Sequence, residues 1–163
     1  MLKNAMNYGV VLGALLVLLQ VLSYTFDIEQ SKWLSLLNYL ILSGVLYYGT
    51  KRYRDTENGG YISYGQSLGS MVLIGVFGSI LIGFYMFVFY KYIAPDTLEQ
   101  MKILAEQQYV KLNMPQNQID MSLRLITPAT LVFSAIFGYA IFSALLGLFL
   151  SLFIKKQDPS ILE

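Results

Sequence analysis

Polar and apolar positions along this chain separate into blocks, with little alternation between them. No Asp, Glu, Lys or Arg occurs from Asn4 to Phe26, from Trp33 to Thr50, from Asn58 to Tyr90, or from Leu125 to Ile154. A bilayer core of about 30 Å is crossed by roughly 20 helical residues, so the pattern predicts four transmembrane helices. Their bounds are about 5–26, 33–50, 64–93 and 128–154. These runs are apolar all round, whereas a helix of a soluble bundle keeps a polar stripe.

The blocks between the runs carry start and stop signals. Asn58-Gly59-Gly60 reads as a turn, and Ser63 followed by Gln66 matches a capping box, which starts the third span near Tyr64. Ala94-Pro95 interrupts that span, and Pro95 with Asp96 and Glu99 in the opening turn announces a new helix. Leu98, Met101, Ala105 and Leu112 fall near one face of it, with Lys102 and Glu106 spaced for an i, i+4 pair. Asn113-Met114-Pro115 breaks it. A second short helix follows, with Ile119, Leu123 and Ile126 on one side and Asp120 four residues before Arg124. Thr127-Pro128 caps the last span, which ends at Lys155-Lys156. The expected fold is therefore all-α, a single polytopic membrane domain over 1–163. Four transmembrane helices form it, with an extramembrane helical hairpin at about 95–126 between the third and the fourth.

Composition agrees. The chain of 163 residues is 56% hydrophobic and 13% charged, against about 25% charged in a soluble domain. A net charge of +1 provides no basic field for nucleic acid. With neither Cys nor His, thiol nucleophiles, imidazole bases and the usual soft metal ligands are absent. No cofactor or metal is expected, and no catalytic constellation stands out. MLKN and the apolar run after it resemble a signal sequence, but the run exceeds the 7 to 15 residues of a signal core. An uncleaved first span is the expectation, and cleavage would leave three.

Lys and Arg set orientation. With four spans, one face carries Lys3, Lys51, Arg52, Arg54, Lys155 and Lys156, and five of these six adjoin span ends. The other carries Lys32, Lys91, Lys102, Lys111 and Arg124. Both termini and the 51–66 stretch are accordingly expected in the cytoplasm.

That stretch, KRYRDTENGGYISYGQ, is the one crowded polar segment. A phosphate-binding loop needs Gly-Lys-Ser/Thr after its glycines, and none follows. A calcium loop from Asp55 wants an oxygen ligand at its fifth position and Glu at its twelfth, where the chain has Gly59 and Gln66. What remains is contact of Lys51, Arg52, Arg54 and Asp55 with lipid headgroups or a partner. Asp55 with Glu57 as a carboxylate pair is the enzymatic alternative. Within the runs Gln20 and Asn38 are the amides at depth, able to bond across helices. Small residues recur every fourth position at Ala5, Gly9 and Gly13, at Gly75, Ser79 and Gly83, and at Ser143, Gly147 and Ser151. Such stripes let helix backbones approach, within one chain or with another subunit. Gly83 to Tyr92, GFYMFVFYKY, reads as an aromatic belt.

Tyr53-Arg54-Asp55, Gly59-Gly60, the entry Ile62-Ser63-Tyr64-Gly65-Gln66, Ala94-Pro95-Asp96 and a last span closing on basic residues together resemble domain of unknown function 4199, a bacterial family of multi-pass membrane proteins. The resemblance covers nearly the whole chain. It implies a cytoplasmic-membrane protein with a four-helix core and brings no activity and no site residues. The functional expectation is a scaffold or regulatory partner in a membrane complex, not an enzyme. Membrane lipids and a homo-oligomer or another membrane protein are the expected partners. A subunit of an oligomeric channel or transporter is the alternative, and an interfacial enzyme acting on lipid headgroups through Arg52, Arg54, Asp55 and Glu57 is the third.

Overall fold

The computed structural model describes residues 1–26, 28 and 31–157. Within them the chain is helical: α1 (Leu2–Thr25), α2 (Lys32–Thr56), α3 (Tyr64–Val88) extended by a π-helical turn (Phe89–Ile93), α4 (Pro95–Lys111), α5 (Gln116–Arg124) and α6 (Pro128–Ile154). Three stretches are long and apolar enough to cross a membrane, namely Leu2–Thr25, Tyr64–Ile93 and Pro128–Ile154. α2 is not among them, because Asn38, Tyr39, Tyr47 and Tyr48 dilute its apolar run. Much of the expected DIEQSK link, at Asp27, Glu29 and Gln30, lies outside the described residues.

The chain forms two compact units, Met1–Ile82 with Ile136–Glu163, and Gly83–Ala135. In the first unit α1 and α2 run antiparallel, the Asn4 side chain donating to the Gly49 carbonyl at 2.9 Å. α1 and α3 run parallel. A Cβ on Gly13 would stand 2.7 Å from Leu81 Cβ and 2.9 Å from the Gly78 carbonyl oxygen, and Gly9 meets Phe77 and Gly78 one turn earlier. α6 runs antiparallel to α3: a Cβ on Gly75 would overlap the Ser143 hydroxyl, and one on Gly147 would lie 2.8 Å from Leu68 Cδ1. Leu12, Leu16, Leu42, Leu46, Met71 and Ile74 fill the centre, each at most 1% exposed.

The outer surfaces of these helices are apolar. Val10 and Leu18 on α1, Leu36 and Leu40 on α2, and Phe149 and Phe153 on α6 are all exposed. In water that arrangement would be costly. In hydrocarbon it is the ordinary outer face of a membrane protein.

The second unit holds the π turn, α4 and α5. Pro95 has no amide to donate, and its ring disfavours an α conformation at Ala94. Ala94 sits at φ −137°, ψ 66°, and its N–H reaches back five residues to the Phe89 carbonyl at 2.8 Å. That wide turn ends α3, and Pro95 opens α4 at its first position. α4 turns at Asn113, whose φ of 55° is left-handed, and α5 follows. Leu98, Met101 and Ala105 lie half-buried while Leu112 is exposed. Lys102 bonds Glu99 at 3.4 Å, and the i, i+4 partner Glu106 does not take it; an acid preceding its base by one turn also suits the helix dipole. Asp120 accepts from Gln116 at 3.0 Å, on the opposite side from Arg124 in sequence. Of the apolar side of α5, Ile119 is 1% exposed.

Candidate functional site

The crowded polar stretch starts as helix. α2 continues through Lys51 to Thr56, six residues past the expected end of the second span. Its C-terminus closes on Gly59 and Gly60 at φ +65° and +85°, with the Gly60 N–H donating to the Arg54 carbonyl at 2.9 Å. Only glycine takes that pair of left-handed conformations without strain. Asn58 secures the turn, its amide donating to the Tyr61 carbonyl at 2.6 Å while its oxygen accepts from the Tyr53 hydroxyl at 3.3 Å. α3 then starts on the expected capping box: Ser63 Oγ accepts from the Gln66 N–H at 3.2 Å, and Gln66 Oε1 accepts from the Ser63 N–H at 3.1 Å.

The turn also grips the end of α6. Ile62 and Lys156 exchange both backbone hydrogen bonds, at 2.9 and 3.0 Å, as an isolated antiparallel bridge. Arg54 Nη1 donates to the Ile154 carbonyl at 3.0 Å, and the Tyr64 hydroxyl donates to the Leu148 carbonyl at 3.0 Å. The last carbonyls of a helix have no partner of their own, so Arg54 acts as a C-cap delivered from another helix. Its Nε binds Asp55 Oδ1 at 2.7 Å. That bond holds the Asp55 carboxyl below its ordinary 3.8, helped by the fields of Arg54, Lys51 and Lys156 and opposed by partial desolvation. Glu57 is turned elsewhere, to the Met1 amino group at 3.3 Å. The two carboxylates therefore serve separate partners.

Lys51 lies over the Tyr47 ring at 5.9 Å and Lys156 over the Tyr61 ring at 5.3 Å. The start of α1, the end of α2, the start of α3 and the end of α6 meet at this end of the first unit, as the Asn4–Gly49, Arg54–Ile154 and Ile62–Lys156 contacts require. Every Lys and Arg of the unit except Lys32 is gathered there: Lys3, Lys51, Arg52, Arg54, Lys155 and Lys156. The side chains of Lys3, Arg52 and Lys155 have neither a hydrogen bond nor an ion pair among the described residues, and all three are exposed.

Of the small-residue stripes, Ala5, Ser79, Ser143 and Ser151 are each at most 1% exposed. Gly9, Gly13, Gly75 and Gly147 meet neighbouring helices of the same unit. Ser79 is satisfied within its own helix by the Val76 carbonyl at 2.7 Å, and Gly83 is the buried first residue of the second unit. Gly49 and Gly78 were not part of any stripe, yet a Cβ on either would press on Tyr8 or Leu12. Gly78 is three residues from Gly75, so a search at spacing four passes over it. Tyr39 of α2 stacks on Phe142 of α6 at 5.1 Å. Gln20 Oε1 is buried without a hydrogen-bond partner among the described residues.

In the second unit the aromatic run stacks on itself, Tyr85 on Phe89 at 5.6 Å, and Lys91 lies 5.0 Å from the Phe87 ring centroid. Among the described residues no group of three or more acidic side chains is arranged to hold a metal ion.

The model of the family described as "Protein of unknown function (DUF4199)" matches residues 7–156. No curated protein and no solved structure matches the chain.

Proposed function

The chain belongs to the DUF4199 family, and from that premise we propose that it is a four-span protein of the bacterial cytoplasmic membrane, serving as a scaffold or regulatory partner in a membrane complex. The case for α2 as the fourth span is topological. α1 and α3 run parallel, so if both cross the bilayer the chain between them must recross it. α2 has 25 residues, about 37 Å at 1.5 Å per residue, and its outward Leu36, Leu37 and Leu40 suit lipid. The basic end of the first unit then faces the cytoplasm, in keeping with the bias of Lys and Arg.

The observation that supports a partner role is α4. It is 17 residues long and none of them is buried, while Ile103, Leu104 and Val110 are about half exposed on a helix too polar to span. A helix owes most of its stability to the packing of an apolar face; α4 half-buries Leu98, Met101 and Ala105, and the exposed apolar residues are left for something it docks against. Gly9, Gly13, Gly75 and Gly147 already serve contacts between α1, α3 and α6, so the partner reading is placed on α4. A photoreactive residue in place of Leu104, activated in native membranes, is expected to give a discrete crosslinked product. Only lipid adducts there would end the scaffold reading.

A further inference from the structure

We propose that the basic end of the first unit is a binding site for the headgroups of anionic phospholipids; the proposal rests on the membrane reading above. Among the described residues the carboxylates at this end are occupied, Asp55 by Arg54 and Glu57 by the Met1 amino group. Among the described residues Lys3 near the start of α1, Arg52 near the end of α2 and Lys155 just past α6 have no anion partner, and these three helix ends converge there. Each of these cations also has an exposed large apolar side chain three or four residues inward along the chain. Met6 follows Lys3 and is 47% exposed, Tyr48 precedes Arg52 at 70%, and Leu152 precedes Lys155 at 51%. A cation at the rim with apolar surface directly below it matches a phosphate with acyl chains attached. A free phosphate would use only the upper half of that surface. Tyr47 and Tyr61, lying under the ammonium groups of Lys51 and Lys156, are of the amphipathic type that sits at headgroup level.

The experiment uses the full chain in vesicles of phosphatidylcholine with and without phosphatidylglycerol, reading the lipid class retained on the protein after extraction by native mass spectrometry. The wild type is expected to retain phosphatidylglycerol over phosphatidylcholine, less so as salt rises, since these groups are exposed. The triple variant Lys3→Gln, Arg52→Gln, Lys155→Gln is expected to lose at least about tenfold of that preference. A Lys102→Gln, Lys111→Gln variant of α4 is expected to keep it. Equal retention of the two lipids by the wild type, or an unchanged preference in the triple variant, overturns the proposal. Displacement by glycerol phosphate as effective as by lipid overturns it in favour of a soluble phosphate site. Failure to enter any vesicle, neutral ones included, overturns the membrane reading and this proposal together, so the two failures are told apart by the neutral arm.

Discussion

Replacing Gly13 by alanine tests whether the α1–α3 contact is as close as the structure has it. The new methyl carbon would sit 2.7 Å from Leu81 Cβ and 2.9 Å from the Gly78 carbonyl oxygen, where carbon pairs settle at about 3.5 to 4.0 Å. One obstacle is a backbone atom and the other is fixed to the backbone. No rotamer change relieves the overlap, and the helices must part by roughly 1 Å. Overpacking of that kind costs about 1 to 3 kcal/mol. Alanine recovers up to about 1 kcal/mol through its greater helix propensity, for a net loss of about 0 to 2 kcal/mol when that recovery is complete. Gly44→Ala is the matched control. It too lies inside a helix, but nothing comes within 4 Å of its added carbon, so only the propensity term acts and the protein gains up to about 1 kcal/mol. For a chain of this size each kcal/mol moves the melting temperature by about 2 to 4 °C. Thermal unfolding followed by circular dichroism in one detergent should therefore rank Gly44→Ala above wild type and Gly13→Ala below it. Equal melting temperatures for the two variants, or Gly13→Ala the more stable, would refute the close approach.

Other outcomes follow from the same contacts. Arg54→Ala removes the bonds to Ile154 and Asp55 and should cost about 1 to 2 kcal/mol, with faster hydrogen exchange at the Ile62 and Lys156 amides; unchanged exchange there would mean that Arg54 does not hold the bridge. Asp55→Asn has a defined pH dependence. A carboxyl whose folded value is depressed contributes stability that is full above its unfolded value and is lost as pH falls through the folded one. The gap in melting temperature between wild type and Asp55→Asn should thus be open at neutral pH and close below 3.8, and a gap that widens on acidification would contradict the Arg54 contact. Cysteines at Thr56 and Gln108 should differ towards a membrane-impermeant reagent in intact cells, with Gln108 labelled and Thr56 protected; the reverse pattern would invert the orientation.

Sequence reading worked where a side chain bonds to backbone close by. Ser63 with Gln66 starts α3, Pro95 starts α4, and Thr127, paired with the Thr130 N–H at 3.2 Å, starts α6 as its position suggests. Such signals are local, and a local signal needs no knowledge of the fold. Residues 51–56 are the counter-example. Four charges in six positions read as the surface turn after a span, yet they are the last turns of α2. Their partner is the α6 carboxyl end, 100 residues away between Arg54 and Ile154. The Ile62–Lys156 bridge is invisible for a related reason, since it is made by backbone atoms, which every residue carries. Of the stripe residues, Gly9 and Gly13 on α1 and Gly147 on α6 lie against α3. Gly49 and Gly78 lie outside the stripes and are just as close to a neighbour, because a close approach is set by the opposing helix, here Tyr8 and Leu12, and not by spacing along one's own.

What fixes the register of these helices is a question of solvent. In water, apolar burial would draw them together; in hydrocarbon a leucine gains little by leaving lipid for protein, and packing and polar contacts must supply the specificity. The first unit uses both along its length. Near its middle, Gly9, Gly13 and Gly75 let neighbouring helices approach to backbone distance. Toward the basic end the buried contacts turn polar, with Asn4 on the Gly49 carbonyl at 2.9 Å and the Thr50 hydroxyl 3.4 Å from that of Ser70. An apolar helix can slide by a turn and lose little, but an asparagine at 4% exposure cannot slide off its carbonyl without leaving a buried amide unpaired, at about 1 to 3 kcal/mol. The bridge and the Arg54 cap then close the same end. Lys3, Arg52 and Lys155, unpaired among the described residues, are consequently carried at an end where the helices are held in register by these contacts, with Lys155 next to the Ile62–Lys156 bridge.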